Sequence, residues 1–255
     1  MNTQKFINLV VQGAQDAMIE YHILASVSIA QAAVESGWGA SAPGNNLFGI
    51  KANGWTGKTQ VLKTTEIVDG KAISVKASFR AYRSWAQSMD DHGAFLASNS
   101  RYANILGVSD YHTACHRLQA DGYSTSPSYA NLLIGIINQY RLYQYDRLPP
   151  ITTLDMVTVK DGVVLVSGWA LNMAGLMRID VYYDGNHGVG GTTAFTDRPD
   201  VDKTINPHGW YPDGGRCGFN FTIQAGRISK GTHTLNVAAI GKDGSAQWAG
   251  KDFSL

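Results

Sequence analysis

The sequence predicts an α+β domain, mostly helical with one inserted β-hairpin, followed by an all-β sandwich. Three observations carry that expectation. Apolar residues fall at helical spacings as far as Leu148-Pro149-Pro150, and short β-branched runs separated by Gly and Asp turns follow that junction. All three glutamates of the chain, Glu20, Glu35 and Glu66, precede it, as suits a residue favoured in helices and depleted in strands. At 255 residues the chain is about one and a half times the usual domain length of roughly 150. The expected division is 1–148 and 149–255, joined by a short, stiff Pro-Pro segment.

Taken in order, Ile23, Val27, Ala30 and Val34 form an apolar stripe, so residues 22–35 read as an amphipathic helix stopped by Gly37 and Gly39. Residues 59–82 contain two β-rich runs around Asp69-Gly70, a hairpin signal. Ser84 with Gln87 forms a capping box that opens a helix to about Ser98. Ser126-Pro127 supplies an N-cap with Pro at the first helical position, ahead of a stripe of Leu132, Leu133, Ile136, Ile137 and Tyr140. After the junction, strands are expected at 157–159, 163–167, 179–183, 219–223 and 232–239, with turns at Asp161-Gly162, Asp184-Gly185 and Asp243-Gly244.

Composition excludes several classes. Lys plus Arg number 21 and Asp plus Glu 20, a net charge of +1, without the basic excess of a nucleic-acid or anionic-membrane protein. Cys115 and Cys217 cannot build a disulfide framework or a four-cysteine zinc site. No signal peptide or stretch of roughly 20 apolar residues is recognisable. Neither membrane insertion nor a cofactor is expected.

The chemistry points to carboxylates. Glu35 closes its helix at the C-terminal end, where the helix dipole disfavours an anion, and Trp38 adds apolar surface beside it. Both favour the protonated acid and a proton-donor role; the bland alternative is a solvated glutamate at a helix end. Glu66 lies in the hairpin, and two carboxylates from different elements facing a cleft are what glycoside hydrolysis requires. Its bland alternative is an exposed strand residue, and Glu20 reads as surface charge. His112 and His116 stand four apart on a helix, but the intervening Thr113-Ala114-Cys115 lacks the glutamate of a zinc-protease motif. Cys115 reads as a small buried hydrophobe. Asp197, Asp200 and Asp202, with Arg198 and Lys203 among them, read as a solvated turn. No metal site is expected.

The run Gln31-Ala32-Ala33-Val34-Glu35-Ser36-Gly37-Trp38-Gly39, then Asn46-Leu47-Phe48-Gly49-Ile50-Lys51, resembles the glucosaminidase family of peptidoglycan hydrolases, glycoside hydrolase family 73. So do Phe79-Arg80-Ala81-Tyr82, the Asp91-His92 pair and the stretch from Asp121 to Ala130, in the same order over about residues 5–146. The resemblance implies a lysozyme-like α+β domain that cuts the β-1,4 bond between N-acetylglucosamine and N-acetylmuramic acid. It implies Glu35 as catalytic acid and Glu66 as second carboxylate, although Ile67 stands where many relatives have an aromatic. It further implies Tyr129 at the reaction centre, with Trp38, Asn46, Phe48 and Tyr123 touching substrate. Inverting, retaining and acetamido-assisted routes stay open, as do a muramidase or lytic transglycosylase and a non-catalytic wall-binding protein.

Residues 151–255 contain no Glu but do contain aromatics near turns: Trp169, Tyr182, Tyr183, Trp210, Tyr211 and Trp248. Their pattern is similar to accessory β modules of Gram-positive cell-wall hydrolases. Trp169 and Phe219 read as core. Trp210-Tyr211, flanked by Pro207, Gly209 and Pro212, read as a loop that stacks on wall glycan. The whole then resembles a phage endolysin, made in the host cytoplasm, released by a holin, and lysing a Gram-positive host through its wall glycan strands and polymer.

Overall fold

The structure, a computed structural model, describes residues 2–68, 71–185 and 187–255, with the side chains of 65–68, 71 and 72 outside the description. The chain divides into two compact units, Met1–Arg147 and Leu148–Leu255, which are built on different principles.

The first unit is mostly helical. Helix α1 (Thr3–Tyr21) was not among the expected elements, yet its buried residues Phe6, Ile7, Val10, Gly13, Ala14, Ala17 and Met18 follow a helical repeat. Helix α2 (Ala25–Ser36) is buried along nearly its whole length and ends at Gly37, whose φ of 56° is left-handed. Trp38 N–H reaches back to the Ala33 carbonyl at 2.8 Å, closing that end. Gly39 follows at φ 76°, and a side chain there would run into the rings of Trp85 and Phe6, so the turn after α2 demands glycine.

Strands β1 (Thr59–Val68) and β2 (Lys71–Arg80) form the expected antiparallel hairpin, Thr59 pairing with Arg80. The expected Asp69-Gly70 turn lies outside the described residues. Helix α3 (Trp85–Ser98) begins where the capping box puts it: Ser84 Oγ accepts from Gln87 N–H, and Gln87 Oε1 accepts from Arg83 N–H. Helix α4 (Tyr111–Ala120) carries His112, Cys115 and His116, with Cys115 fully buried.

Helix α5 (Tyr129–Tyr140) starts later than Ser126-Pro127 implies; Ser128 is its N-cap and makes no side-chain capping bond. The reason is a preceding turn in which Tyr129 N–H bonds to the Ser126 carbonyl at 3.2 Å. Asp146 returns to the N-terminus of α2, where it accepts from Ser26 N–H at 2.7 Å and Ser26 Oγ–H at 2.6 Å.

The second unit contains two antiparallel sheets. Strands β3 (Ile151–Lys160), β4 (Val163–Leu171) and β7 (Gly218–Gln224) form one, in the order β3-β4-β7. The other, ordered β6-β5-β8-β9, contains β5 (Leu176–Tyr183), β6 (His187–Thr192), β8 (Thr232–Gly241) and β9 (Ala246–Ser254). Val164, Val166, Phe219 and Ile223 from the first sheet share one core with Ile179, Val181, Leu235 and Val237 from the second. Asp161 and Gly162, both at positive φ, form the two-residue β3–β4 turn, as that hairpin geometry requires.

The unit is not all-β. Of the aspartates expected in a solvated turn, Asp200 and Asp202 lie in the first turn of a seven-residue helix α6 (Pro199–Ile205), with Pro at its start and Val201 buried, while Asp197 precedes it. Arg198, just ahead of it, pairs with Asp155 at 2.6 Å and Asp200 at 2.7 Å.

Candidate active site

A cleft of about 380 Å³ opens in the first unit, lined by Glu35 at the end of α2, Phe48 to Lys51, Arg80 at the end of β2, Phe95, Tyr102 and Tyr123. The loop that supplies Phe48 to Lys51 is anchored by Asn46. The amide Nδ2 donates to the Ile50 and Arg80 carbonyls, both at 3.0 Å, and Oδ1 accepts from Ile50 N–H at 3.1 Å. Arg80 N–H then bonds to the Ile50 carbonyl and Ala52 N–H to that of Ser78, which zips this loop onto β2.

Glu35 is solvent-exposed at the cleft wall, and one turn of α2 below it lies Gln31, fully buried. Tyr129, at the start of α5 and only 3% exposed, joins the two. Its hydroxyl donates to Glu35 Oε1 at 3.0 Å and accepts from Gln31 Nε2–H at 3.2 Å. Desolvation by the surrounding protein pushes the Glu35 pKa above the ordinary carboxylate value, and Tyr129's hydrogen bond pulls it partly back. Burial raises the Tyr129 phenol far above its usual range, so it stays a neutral donor throughout the working pH.

A second aromatic group stands beside the first. Tyr123 stacks on Tyr129 with centroids 5.7 Å apart, and its hydroxyl is 3.2 Å from His92 Nε2. His92, 1% exposed, stacks flat on Phe48 at 3.7 Å. Burial lowers its pKa to about 3, so the imidazole is neutral and carries one N–H. Among the described residues its Nδ1 has no hydrogen-bond partner. An orphaned buried N–H costs more than an orphaned lone pair, which is why the former is rarer. The proton therefore belongs on Nε2, which donates to the Tyr123 oxygen and leaves the Tyr123 O–H free to donate elsewhere.

The Arg80 wall is held separately. Arg80 Nη1 bonds both oxygens of Asp91 at 2.8 and 2.7 Å, and Tyr82 O–H adds a third donor at 2.6 Å. The Arg80 guanidinium also lies over the Trp55 ring at 4.7 Å.

Against the sequence expectations, Glu35, Phe48 and Tyr123 line the cleft, and Tyr129 touches Glu35 from behind. Glu66 lies on β1 opposite Ile73, but its side chain is outside the described residues. Asn46 does not face substrate: it is 4% exposed and its amide is committed to backbone. Trp38 is likewise not a lining residue but a packing one, set edge-on against Phe6 at 5.7 Å and Tyr140 at 4.8 Å.

In the second unit, Trp210 and Tyr211 are buried, at 6% and 4% exposure, and are not an exposed stacking loop. Asn206 locks that turn, accepting from Tyr211 N–H and donating to the Tyr211 carbonyl, while Tyr211 O–H bonds the Pro149 carbonyl at 2.9 Å. Gln31 and His92 enter the sequence reading only as members of the family motifs, without a role of their own, although both lie on readable phases. Gln31 stands one turn before Glu35, and His92 continues the inward row of Ser88 and Leu96 set by the capping box.

A helix-borne carboxyl with a raised pKa, bonded by one phenol beside an aromatic-lined cleft, has the chemistry that the acid half of a glycoside hydrolase site requires. Residues 11–142 match the model of the glucosaminidase family, described as mannosyl-glycoprotein endo-beta-N-acetylglucosaminidase. The chain belongs to that family.

Among its relatives, the exo-glucosaminidase LytG of Bacillus subtilis is 36% identical over 171 residues, 63% of this chain and 60% of that protein. The peptidoglycan hydrolase FlgJ of Escherichia coli (strain K12) is 37% identical over 136 residues, 50% of this chain and 42% of that protein. The chain thus spans about 60% or less of the length of these relatives. The catalytic domain of the autolysin Auto from Listeria monocytogenes aligns with a TM-score of 0.51 and 37% identity, over 56% of this chain and 87% of that one.

Proposed function

We propose that the chain is a peptidoglycan hydrolase that cuts the β-1,4 bond after N-acetylglucosamine within glycan strands. The observation that carries this reading is Glu35, a cleft-wall carboxyl with a raised pKa and a single phenol donor. Protonated, it delivers its proton to the glycosidic oxygen as the bond breaks. Tyr129 then donates to the carboxylate left behind, and Gln31 fixes the Tyr129 hydroxyl for that task. Glu66, carried on the hairpin, is the second carboxylate and stabilises the oxocarbenium-like state or activates water. Tyr123, its hydroxyl hydrogen released by His92, donates to the acetamido or ring substituents of the bound sugar. That the relatives LytG and FlgJ are an exo-glucosaminidase and a peptidoglycan hydrolase supports this substrate class.

The second unit, with two sheets around one core, is proposed as a β-sandwich that holds the enzyme on the wall. Digestion of purified walls followed by borohydride reduction tests the bond. Glucosaminitol at the ends of mixed-length fragments is expected. Muramitol would replace the reading with a muramidase, absence of new reducing ends with a transglycosylase, and release of terminal sugars alone with an exo-acting enzyme.

A further inference from the structure

We propose that the outer face of the β6-β5-β8-β9 sheet, centred on Tyr182 and Trp248, is a stacking platform for a neutral, N-acetylated glycan strand. The proposal deepens the wall-binding role given above to the second unit and rests on that reading. Trp248 is 52% exposed, and its ring meets Tyr182 at 5.4 Å with a tilt of 41°. The register sets both on one face: Tyr182 lies opposite Asn236 and Trp248 opposite Ala238. Ala238, between the two rings, is 1% exposed, so they form a continuous apolar surface. The opposite face of β5 and β8 supplies Ile179, Val181, Leu235 and Val237 to the core. Trp248 thus lies outside the core, and a contiguous exposed apolar patch, here the Tyr182–Trp248 pair, is the kind of feature that marks a binding surface.

Glycines clear the flanks. Gly188 sits opposite Tyr182 on β6, and Gly250 opposite Asn236 on β9. A Cβ on Gly188 would lie 3.7 Å from the Tyr182 ring, and one on Gly250 would lie 2.9 Å from Asn236 Oδ1. Both flanks are therefore bare beside the ring and the amide. Glycine inside a strand recurs where a ligand approaches the backbone.

Charge selects the occupant. Arg178 is paired with Asp180 at 2.9 Å, and Asp252 accepts from Thr234 O–H at 2.6 Å. Among the described residues the face therefore has no uncompensated basic cluster to hold a polyanion or an anionic lipid surface. A glycan offers apolar C–H faces for the rings and hydroxyl and acetamido groups for the Asn236 amide. A strand held here stays at high local concentration for the cleft of the same chain.

Binding of the full chain to purified glycan sacculi, measured with and without removal of anionic wall polymers, tests this. Every variant carries Glu35→Gln, so that the ligand is not consumed. Trp248→Ala is expected to weaken binding to stripped sacculi by about 10-fold or more, Tyr182→Ala by less, and Trp248→Phe least of all. Melting temperatures should change little, because Trp248 is half exposed and the core lies on the opposite face of the sheet. Unaltered binding by the Tyr182→Ala, Trp248→Ala double variant overturns the proposal, as does binding that requires the anionic polymer. Failure of the hydrolase reading shows separately, as undiminished wall clearing by Glu35→Gln alone.

Discussion

Helix α2 carries a carboxyl at each end, and the two are held in opposite ways. Asp146 sits at the N-terminus, where the helix dipole favours an anion and Ser26 supplies two donors. Glu35 sits in the last turn, where the dipole opposes an anion and Tyr129 is the donor to its carboxyl. Desolvation by the surrounding protein raises the pKa of both, that of Asp146 to about 6. The difference lies in what each faces: Asp146 is spent on packing the last residues of the first unit onto α2, whereas Glu35 opens onto the cleft. A raised pKa alone therefore does not mark a catalytic acid; the role proposed for Glu35 rests on the cleft and on the neutral phenol behind it.

Removing each group should separate the two roles. Glu35→Gln is expected to lower wall hydrolysis by about 10²-fold or more while leaving the melting temperature near that of the parent. Equal loss of stability would make Glu35 a structural residue like Asp146.

Asp146 should show itself in stability against pH. Its folded pKa lies above the ordinary value of 3.8, so between about pH 4 and 6 the folded state holds more protons than the unfolded one. Stability then falls as pH rises through that window, by up to about 3 kcal/mol for an interval from 3.8 to about 6. Denaturant titrations at several pH values should show this slope in the parent and a flatter one in Asp146→Asn, with activity per folded molecule retained. Loss of the folded-molecule activity would contradict the division of labour.

The smallest effect concerns the hydrogen bond itself. Tyr129→Phe removes the donor that pulls the Glu35 pKa down, so Glu35 should hold its proton to higher pH. The alkaline limb of the kcat/KM profile is expected to move upward, even as the maximal rate drops. A downward move would mean that Tyr129 acts on something other than the carboxyl.

Much of this was legible in the sequence where the signal is local. The capping box at Ser84, the hairpin runs and the Glu35 helix end each depend on residues a few positions apart. Helix α1 was missed because its buried stripe includes Gly13, Ala14 and Ala17, which carry little apolar weight. A Cβ on Gly13 would lie 3.1 Å from the Ala86 backbone, so close packing of α1 on α3 explains that smallness.

Strands β6 and β9 were missed because they are the edges of their sheet, where exposed positions dilute the alternation. Trp210-Tyr211 fails differently. Its Gly and Pro neighbours do mark irregular backbone, but Tyr211 joins the core of the second unit and bonds Pro149, 62 positions away, which local composition does not encode. Tyr129 reaches Glu35 across 94 positions; no spacing rule links them, and only the family resemblance did.

The scarcity of glutamate makes the central claim directly measurable. With Glu20, Glu35 and Glu66 the whole set, ¹³C labelling at the glutamate carboxyl gives three signals to follow through a pH titration. The signal absent from Glu35→Gln should titrate clearly above the ordinary value of about 4.3. Titration of that signal at or below the ordinary value would contradict Glu35 as the proton donor.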